Sequence, residues 1–332
     1  MINVAVAGYG WWGKHIVRRL AGNDKLDVLY VVEPAADRVA EIRAAGHKGI
    51  ADYDAALSDP AIDAVILTTP NRMHVRQVKA AAAAGKHVFC EKPLSLTAAG
   101  GREAVAACKA AGVVLGIGHE RRFEPALQRL KALVDNGSLG TIMHAEAAFS
   151  HNKLAATPAG DWRTKKADSP AAGMTAMGIH LSDLLIALFG RVSVVQALTS
   201  DRDLGWETGD VVTVQLRFEA GMTATFSAIL ATPPFIRFHV FGADAWVEVR
   251  NSDHPDSPTS VAELVLTQSG RPPSVERYEW TDTVVANLEA FAAAIGGESS
   301  YPFSAEEIVH NIEVLEAINT SAESGETVRL IS

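Results

Sequence analysis

The sequence predicts an α/β protein of two domains, a doubly wound parallel sheet followed by an α+β domain with a large open, mainly antiparallel sheet. Three observations lead to this prediction. Apolar runs alternate with helix-like segments over the first 120 residues, a glycine-rich turn follows the first run, and strand-like segments succeed one another over residues 192–249. The chain has 332 residues, enough for two domains, which we expect to span residues 1–120 and 121–332.

The expected strands of the first domain are apolar on both faces, which is typical of a parallel sheet covered by helices on both sides. We expect these strands over residues 2–7, 26–32, 64–68, 88–90 and 113–117. Helices are expected between them, over residues 11–20, 37–45, 71–84 and 97–111. This arrangement makes the first domain doubly wound.

The second domain is expected to begin with a helix over residues 123–135 and a strand over residues 141–149. A helical segment at 177–189 leads into the run of strands, and a helix over 305–321 ends the domain. Residues 211–218 alternate between a more polar and a more apolar face, as in an antiparallel sheet with one covered face. The other face is either an oligomer interface or a solvated surface.

Composition excludes several classes of function. The net charge of −9 makes a nucleic-acid-binding surface unexpected, and no apolar run is long enough to span a membrane. Met1 leads directly into a predicted strand, so we expect no signal peptide. Cys90 and Cys108 fall in predicted core elements, which favours a reducing compartment over a disulfide framework. We therefore expect a cytoplasmic protein that acts on a small molecule.

A glycine-rich turn after the first predicted strand is typical of dinucleotide-binding proteins. It fits the pattern G-x-G-x-x-G and opens a helix, whose N-terminus suits a phosphate group. Its residues are Gly8, Tyr9, Gly10, Trp11, Trp12 and Gly13. We expect this turn to bind the pyrophosphate of a nicotinamide dinucleotide, the alternative being a purely structural turn.

Polar residues end the next two long strands, where ligands of open α/β sheets bind. Glu33 is placed to hold the adenosine ribose hydroxyls and to repel a 2′-phosphate, so we expect NAD, with NADP less favoured. Arg38 lies nearby and is expected to be a solvated helix residue. His74 either contacts the ligand or packs within its helix. The residues expected to line the nicotinamide ribose are Thr68, Thr69, Pro70 and Asn71.

Glu91, Lys92 and Pro93 directly follow the apolar run at residues 87–90. A charged pair and a proline at the end of a buried strand are poor packing material. They are well suited to a site where a substrate hydroxyl is held against a bound cofactor. An ammonium group offers three donors, so Lys92 can hold a substrate oxygen and stabilise negative charge that develops there. This position indicates an oxidoreductase, with Glu91 and Lys92 beside the cofactor.

Together these motifs resemble the Gfo/Idh/MocA oxidoreductases, a family that includes glucose–fructose oxidoreductase and inositol dehydrogenase. The resemblance covers essentially the whole chain. It implies an N-terminal Rossmann domain, sugar, polyol or cyclic diol substrates, and homodimers or homotetramers built through the C-terminal sheet. It also implies that Lys92 is catalytic or orients the substrate, and that the Lys92–Pro93 bond is a candidate for the cis form. The motifs are Gly8-x-Gly10-x-x-Gly13, Thr69-Pro70-Asn71-x-x-His74, Gly85-Lys86-His87-Val88, Glu91-Lys92-Pro93, Arg122-Phe123-x-Pro125 and Asn136-Gly137-x-Leu139-Gly140.

The segment 173–183 matches the second active-site motif of that family, in which carboxylates commonly stand four residues before and three residues after a histidine. Here His180 and Asp183 are present, but Ala176 occupies the earlier position. On a regular helix these three positions share one face. We expect His180 to exchange the proton of the substrate hydroxyl. Asp183 either orients the imidazole or satisfies a buried helix end, and no third ligand stands out that would make a metal site.

Cationic and hydrogen-bonding residues are expected near the substrate pocket, where they could recognise a carboxylate on the substrate. The segment 119–122, which includes Glu120 and Arg122, is one candidate. Trp162 and Arg163 are preferred, because the loop over residues 157–170 precedes the histidine helix and could close over a cleft. The same expectation includes the segment 151–153 and the pair Arg237 and His239. For any single member, a solvated surface charge is the alternative.

The sequence thus predicts an NAD(P)-dependent oxidoreductase that moves a hydride between a nicotinamide and a ring carbon bearing oxygen, with Lys92 and His180 managing the substrate oxygen and its proton. Because Ala176 replaces a carboxylate, a second class stays open, namely a dinucleotide-binding regulatory protein without turnover. A third is a glycosidase-like branch that uses NAD only transiently.

Overall fold

The computed structural model describes residues 1–330, and the chain divides into two compact units. The first unit contains Met1–His119 and Val284–Ile312, and the second contains Glu120–Thr283 and the residues from Glu313 onward. The division expected at residue 120 placed residues 284–312 with the second domain, whereas they group with the first unit.

The strands follow one another in chain order as β1 (Ile2–Ala7), β2 (Leu26–Val32), β3 (Gly49–Ile50), β4 (Ala64–Leu67), β5 (His87–Cys90), β6 (Leu115–Ile117), β7 (Ile142–Ser150), β8 (Val192–Ser200), β9 (Val211–Phe218), β10 (Thr223–Ile229), β11 (Phe235–Gly242), β12 (Ala245–Asn251), β13 (Ala262–Gln268), β14 (Ser274–Tyr278) and β15 (Val328–Arg329).

The α-helices are α1 (Trp11–Arg19), α2 (Ala36–Ala44), α3 (Tyr53–Ser58), α4 (His74–Ala83), α5 (Ala98–Ala111), α6 (Pro125–Asp135), α7 (Ile179–Phe189), α8 (Thr283–Ile295) and α9 (Ala305–Ser324). Within residues 1–330, no helix has both the length and the apolar character that crossing a membrane requires.

The first unit is built on a parallel sheet of strand order β3-β2-β1-β4-β5-β6. The order reverses direction between β1 and β4, which is the arrangement of a doubly wound Rossmann sheet. Strands β1 and β4 are almost entirely buried, since Val4, Val6 and Ile66 have no exposed surface. The predicted parallel sheet is therefore confirmed. Cys90 in β5 and Cys108 in α5 are both free and buried, as expected of core residues.

Helix α8 belongs to the core of the first unit. Leu288 and Phe291 are fully buried in the same apolar cluster as Phe89 of β5. The rings of Phe89 and Phe291 meet edge to face with their centroids 5.6 Å apart. Burying a side chain of this size stabilises a fold by about 1.5–3 kcal/mol. This packing explains why residues 284–312 group with a sheet that lies far earlier in the sequence.

The second unit is built on a mainly antiparallel sheet of order β14-β13-β12-β11-β7-β10-β9-β8-β15, in which β7 and β10 form a parallel pair. Helices α6 and α7 contact this sheet. Along β9, Val212, Val214 and Leu216 are buried, while Thr213 and Gln215 on the alternate face are exposed. The open antiparallel sheet with one covered face is thus confirmed.

Replacing Phe291 with Ala should remove the contact with Phe89 and leave a cavity in the first unit. We expect the free energy of unfolding to fall by about 3–5 kcal/mol, measured by chemical denaturation. Met143→Ala is the matched control, because Met143 is 58% exposed and its truncation should cost little. Equal losses for the two variants would contradict the assignment of α8 to this core.

Candidate active site

Five strands of the first sheet end at one edge. Ala7 of β1 pairs with Val32 of β2 on one side and with Leu67 of β4 on the other. Leu67 pairs with Cys90 of β5, which pairs with Ile117 of β6. Since all five strands are parallel and in register, the residues that follow them emerge side by side. Those residues are Gly8, Glu33, Thr68, Glu91 and Gly118.

The glycine turn brings α1 very close to β1. A Cβ atom on Gly13 would lie 2.0 Å from the carbonyl oxygen of Gly8 and 2.8 Å from Oγ1 of Thr68, so no larger residue fits there. Gly8 has a φ of +95°, which a side chain rarely allows. By contrast, a Cβ on Gly10 would meet nothing within 4 Å, so the backbone of the turn can be approached at this point. These residues fit the pyrophosphate of a dinucleotide at the N-terminus of α1.

Glu33 and Arg38 both hold the backbone of Tyr9. The Oε2 atom of Glu33 accepts a hydrogen bond of 3.0 Å from the Tyr9 amide, and Nη1 of Arg38 donates one of 3.1 Å to the Tyr9 carbonyl. Arg38 is exposed, as expected, but it is tethered at the turn instead of extending freely into solvent. The carboxylate of Glu33 is thereby fixed at the end of β2.

His74 contacts the two loops that follow β4 and β5. Its Nδ1 lies 2.7 Å from the Pro93 carbonyl oxygen and its Nε2 lies 2.9 Å from that of Thr69. Burial lowers the pKa of His74, and the bonds to the two carbonyls oppose that shift. Both ring nitrogens are therefore used within the protein, which is the contact pattern of a packing histidine, while a contact of His74 with a ligand stays a prediction. On the same helix, Gln77 accepts a 2.5 Å hydrogen bond from Oγ1 of Thr69.

Glu91 and Lys92 lie where β5 ends. The Lys92–Pro93 peptide bond is cis. Glu91 is buried, and its Oε2 accepts a 3.3 Å hydrogen bond from the backbone amide of Lys92. A Cβ at Gly118 would stand 2.4 Å from Glu91 Oε2, so glycine at that position leaves room for the carboxylate. Lys92 itself is half-buried at the edge of the sheet.

In the second unit, the segment before His180 differs from the prediction. Met174–Gly178 forms a single π-helical turn, and α7 begins only at Ile179. The regular α-helix expected from residue 177 onward therefore begins two residues later, and Ala176 lies in the π turn. Just before the turn, Ala171 and Ala172 have positive φ angles of 56° and 51°. The chain thus enters the histidine helix through strained backbone.

Asp183 and Arg122 bind each other. Nε of Arg122 lies 2.7 Å from Oδ2 of Asp183, and Nη2 lies 2.7 Å from Oδ1. The side chain of Asp183 is 3% exposed and that of Arg122 is 11% exposed. This bidentate pair occupies both carboxylate oxygens of the predicted catalytic aspartate and one edge of the predicted substrate-binding arginine. The pair fixes α7 against the turn at Glu120–Phe123.

A carboxylate approaches His180 from Glu120, which the sequence placed in the charged segment 119–122 expected near the substrate pocket. Its Oε1 lies 3.8 Å from Nε2 of His180. The only sequence signal was its position beside Arg122 in a charged segment. Phe149 also contacts His180, with ring centroids 5.9 Å apart, and it contacts the ring of His254 at 5.5 Å. His254 was missed, because it lies in a loop that carries no motif.

The other cationic candidates fall into two places. Trp162 and Arg163 form one unit, since the guanidinium lies 4.3 Å from the centre of the indole ring and Asp161 caps the turn. Arg237 and His239 were expected near the pocket, and this was wrong. In β11 they pair with Ala148 and Glu146 of β7, on the face opposite to Phe149. They flank Glu248 on the uncovered face, at 3.2 Å and 3.5 Å.

Known proteins share both units. Residues 2–119 match the model of an oxidoreductase family with an NAD-binding Rossmann fold, GFO/IDH/MocA, and residues 127–248 match the C-terminal domain of the same family. The chain is 32% identical to D-xylose 1-dehydrogenase (NADP(+)) 2 of Haloferax volcanii, over 84% of this chain and 83% of that protein. It is 25% identical to scyllo-inositol 2-dehydrogenase (NADP(+)) of Bacillus subtilis, over 99% and 96%.

Among solved structures, the aldose–aldose oxidoreductase from Caulobacter crescentus, in complex with glycerol, has a TM-score of 0.87 and 25% identity over 99% of each chain. The fold match therefore extends over both units.

Substituting glycine for Ala171 or Ala172 should relieve the strain that precedes the π turn. We expect each change to raise the free energy of unfolding by about 0.5–1 kcal/mol, because alanine is disfavoured at positive φ. Ala106→Gly, within the exposed face of α5, is the control and should lower it by about 1 kcal/mol. Thermal or chemical unfolding measures the stability of all three variants. If all three are destabilised, the backbone at Ala171 and Ala172 is not strained.

Proposed function

The chain belongs to the GFO/IDH/MocA family of oxidoreductases, and from this premise we propose that it oxidises or reduces a ring carbon bearing oxygen in a sugar, polyol or cyclic diol, with NAD as the cofactor. The observation that carries the proposal is the common edge of the first sheet. There the glycine turn, Glu33 and Lys92 emerge from strands that are in register. The substrate class follows the relatives, which are named for D-xylose and scyllo-inositol.

NAD is proposed over NADP because of Glu33. Its carboxylate is held at the end of β2 by the Tyr9 amide, where it would accept hydrogen bonds from ribose hydroxyls and repel a 2′-phosphate. Two relatives are named as NADP(+) enzymes, so this preference separates the present chain from them. The remaining cofactor contacts that we propose are the residues of the glycine turn together with Thr68, Thr69, Pro70, Asn71 and Glu91.

The protein's own side chains would manage the substrate oxygen. When bound, the nicotinamide supplies a hydride acceptor or donor. Lys92 would donate a hydrogen bond to the reacting oxygen and stabilise its negative charge. His180 would take the hydroxyl proton during oxidation and return it during reduction. Trp162 and Arg163 are proposed to bind the substrate, since the indole offers a flat apolar surface and the guanidinium offers donors.

We further propose that the protein acts in the cytoplasm as a homo-oligomer. Two free, buried cysteines suit a reducing compartment. The open face of the second sheet carries a groove of about 380 Å³, and Phe235 at its rim is 50% exposed. A second copy packed on this face would remove the apolar surface from water and enclose Glu248 with its two cationic neighbours.

Lys92→Ala should lower kcat/KM by about 10²- to 10⁴-fold, because the variant cannot stabilise charge on the substrate oxygen. The measurement is NADH absorbance with pentoses, hexoses, inositols, uronates and cyclic diols as substrates. Lys109→Ala, an exposed change on α5, should behave as the unmodified protein. Full activity of Lys92→Ala would refute the role of the lysine. NAD binding without turnover on any compound would instead favour the regulatory protein.

Ser227→Glu and Phe235→Glu should weaken self-association by at least about tenfold, because each places a carboxylate on the uncovered face. Sedimentation of both variants should show a shift toward monomer at a concentration where the unmodified protein is a dimer or tetramer. Lys25→Glu, an exposed charge change in the first unit, should leave the assembly intact. A monomeric unmodified protein would rule the interface out.

A further inference from the structure

His239 lies between two carboxylates on the uncovered face of the second sheet. In strand β11 it pairs directly with Glu146 of β7 on one side and with Glu248 of β12 on the other. Its Nε2 lies 3.5 Å from Oε1 of Glu248, an oxygen that Nε of Arg237 approaches at 3.2 Å. The side chains of His239 and Glu248 are 18% and 15% exposed, so water screens their contact only in part.

The side chains of Glu146, Arg237, His239 and Glu248 form a cluster whose net charge depends on pH. Two carboxylates and one guanidinium sum to a charge of −1 while the imidazole is neutral, and a protonated imidazole brings the sum to zero. Histidine is the side chain whose charge ordinarily changes between about pH 5 and pH 8. We propose that His239 makes self-association through this face depend on pH, with a second copy of the chain bound more tightly in mildly acidic than in mildly basic solution.

The other ionisable groups that face His239 are either paired with an opposite charge or flanked by uncharged residues. On β12, Arg250 lies one row away and pairs with Glu263 of β13 at 2.8 Å, so these two charges cancel. On β7, His144 lies one row away in the other direction. Its neighbours in register are an aromatic ring and a threonine hydroxyl, and its Nδ1 lies 2.8 Å from that hydroxyl. Of these two histidines, only His239 stands between carboxylates.

A second copy of the chain is the partner that the charges of this face fit. Arg237 and Arg250 stand opposite each other on β11 and β12, one row from His239. A copy related by a two-fold axis along these rows would bring the carboxylates of one chain over the guanidinium groups of the other. The surface is then self-complementary, as an isologous dimer requires. The inference rests on the homo-oligomer of the proposed function and specifies its regulation.

Assembly would remove the cluster from water twice, once in each copy. While the imidazoles are neutral, each copy buries an excess negative charge, and the two charges repel each other in surroundings of low dielectric constant. Once the imidazoles are protonated, both clusters are neutral and this repulsion is gone. Association therefore takes up protons, so lowering the pH strengthens it and raising the pH weakens it.

The first test measures the dissociation constant of the assembly by sedimentation at about pH 6 and about pH 8, at one ionic strength. We expect the constant to be at least about tenfold lower at the acidic pH, since protonation of one histidine in each chain is linked to association. His239→Gln should associate equally weakly at both pH values, because its cluster keeps the excess negative charge. His144→Gln is the matched control on the same face and should retain the pH dependence.

Glu248→Gln should reverse the direction of the pH dependence. One carboxylate and one guanidinium then cancel, so the cluster is neutral while His239 is neutral and positive once His239 is protonated. We expect this variant to associate more tightly at the higher pH, measured in the same way. A substitution that only damaged the packing of the face would weaken association at both pH values and leave its direction unchanged.

The same measurements separate pH control from the existence of the interface. If His239→Gln keeps the pH dependence, or if the unmodified assembly is equally tight at both pH values, the proposal is wrong. A protein that is monomeric at both pH values would overturn the interface of the proposed function as well. If dilution does not dissociate the assembly, the rate of subunit exchange between fluorescently labelled samples gives the same comparison. None of these readouts requires turnover, so they stand apart from the proposed catalysis.

Discussion

The register of the parallel sheet is the constraint on which the first unit depends. Hydrogen bonds between neighbouring strands hold Ala7, Val32, Leu67, Cys90 and Ile117 in one line, so the polar residues after them share one edge. Close packing of α1 on β1 is a second constraint on the same edge. Because position 13 is glycine, α1 approaches β1 closely, and Oγ1 of Thr68 donates a hydrogen bond of 2.8 Å to the carbonyl of Gly8. A shift of one residue in any strand would point its buried side chains to the wrong face.

In the second unit, an ion pair constrains the segment around His180, as strand register constrains the first unit. The Arg122–Asp183 pair is nearly free of solvent, and removing one partner of such a pair typically costs about 3–5 kcal/mol. It joins α7 to the turn that also carries Glu120, so the same turn orders the helix and delivers a carboxylate to its histidine. One short segment therefore both contacts the histidine helix and places a carboxylate oxygen 3.8 Å from Nε2 of His180.

Much of this fold follows from local patterns. The alternation of apolar runs with helices predicts the doubly wound sheet, and the glycine turn with Glu33 predicts the dinucleotide site. The packing partner of a helix is harder to predict, because an apolar pattern indicates that the helix is buried but not which sheet it covers. Helix α8 packs against Phe89, which lies about two hundred residues earlier, and only the folded chain reveals it. The sequence could have predicted that Arg237 and His239 lie on the uncovered face, because both alternate with the buried Ile236, Phe238 and Val240.

The candidate site also contains residues that the sequence could locate and contacts that it could not. Residues tied to strand ends, such as Lys92, are located by the sheet, although their catalytic roles stay predictions. The contacts of Asp183 and His180 were not predicted, because Arg122 and Glu120 both lie about sixty residues earlier in the chain. A family motif states which residues belong to a site. It does not state which of them neutralise one another.

The two thiols have a consequence for any study of how the first unit opens. Burial raises the pKa of Cys108 to about 11 and raises that of Cys90 well above its ordinary value, so neither side chain ionises readily while the sheet and α5 are intact. Alkylating reagents attack thiolates, and both sulfurs are shielded by the core. The rate of labelling in native buffer is therefore governed by transient exposure of β5 and α5. The natural sequence thus contains two reporters of local unfolding beside the strand that ends in Lys92.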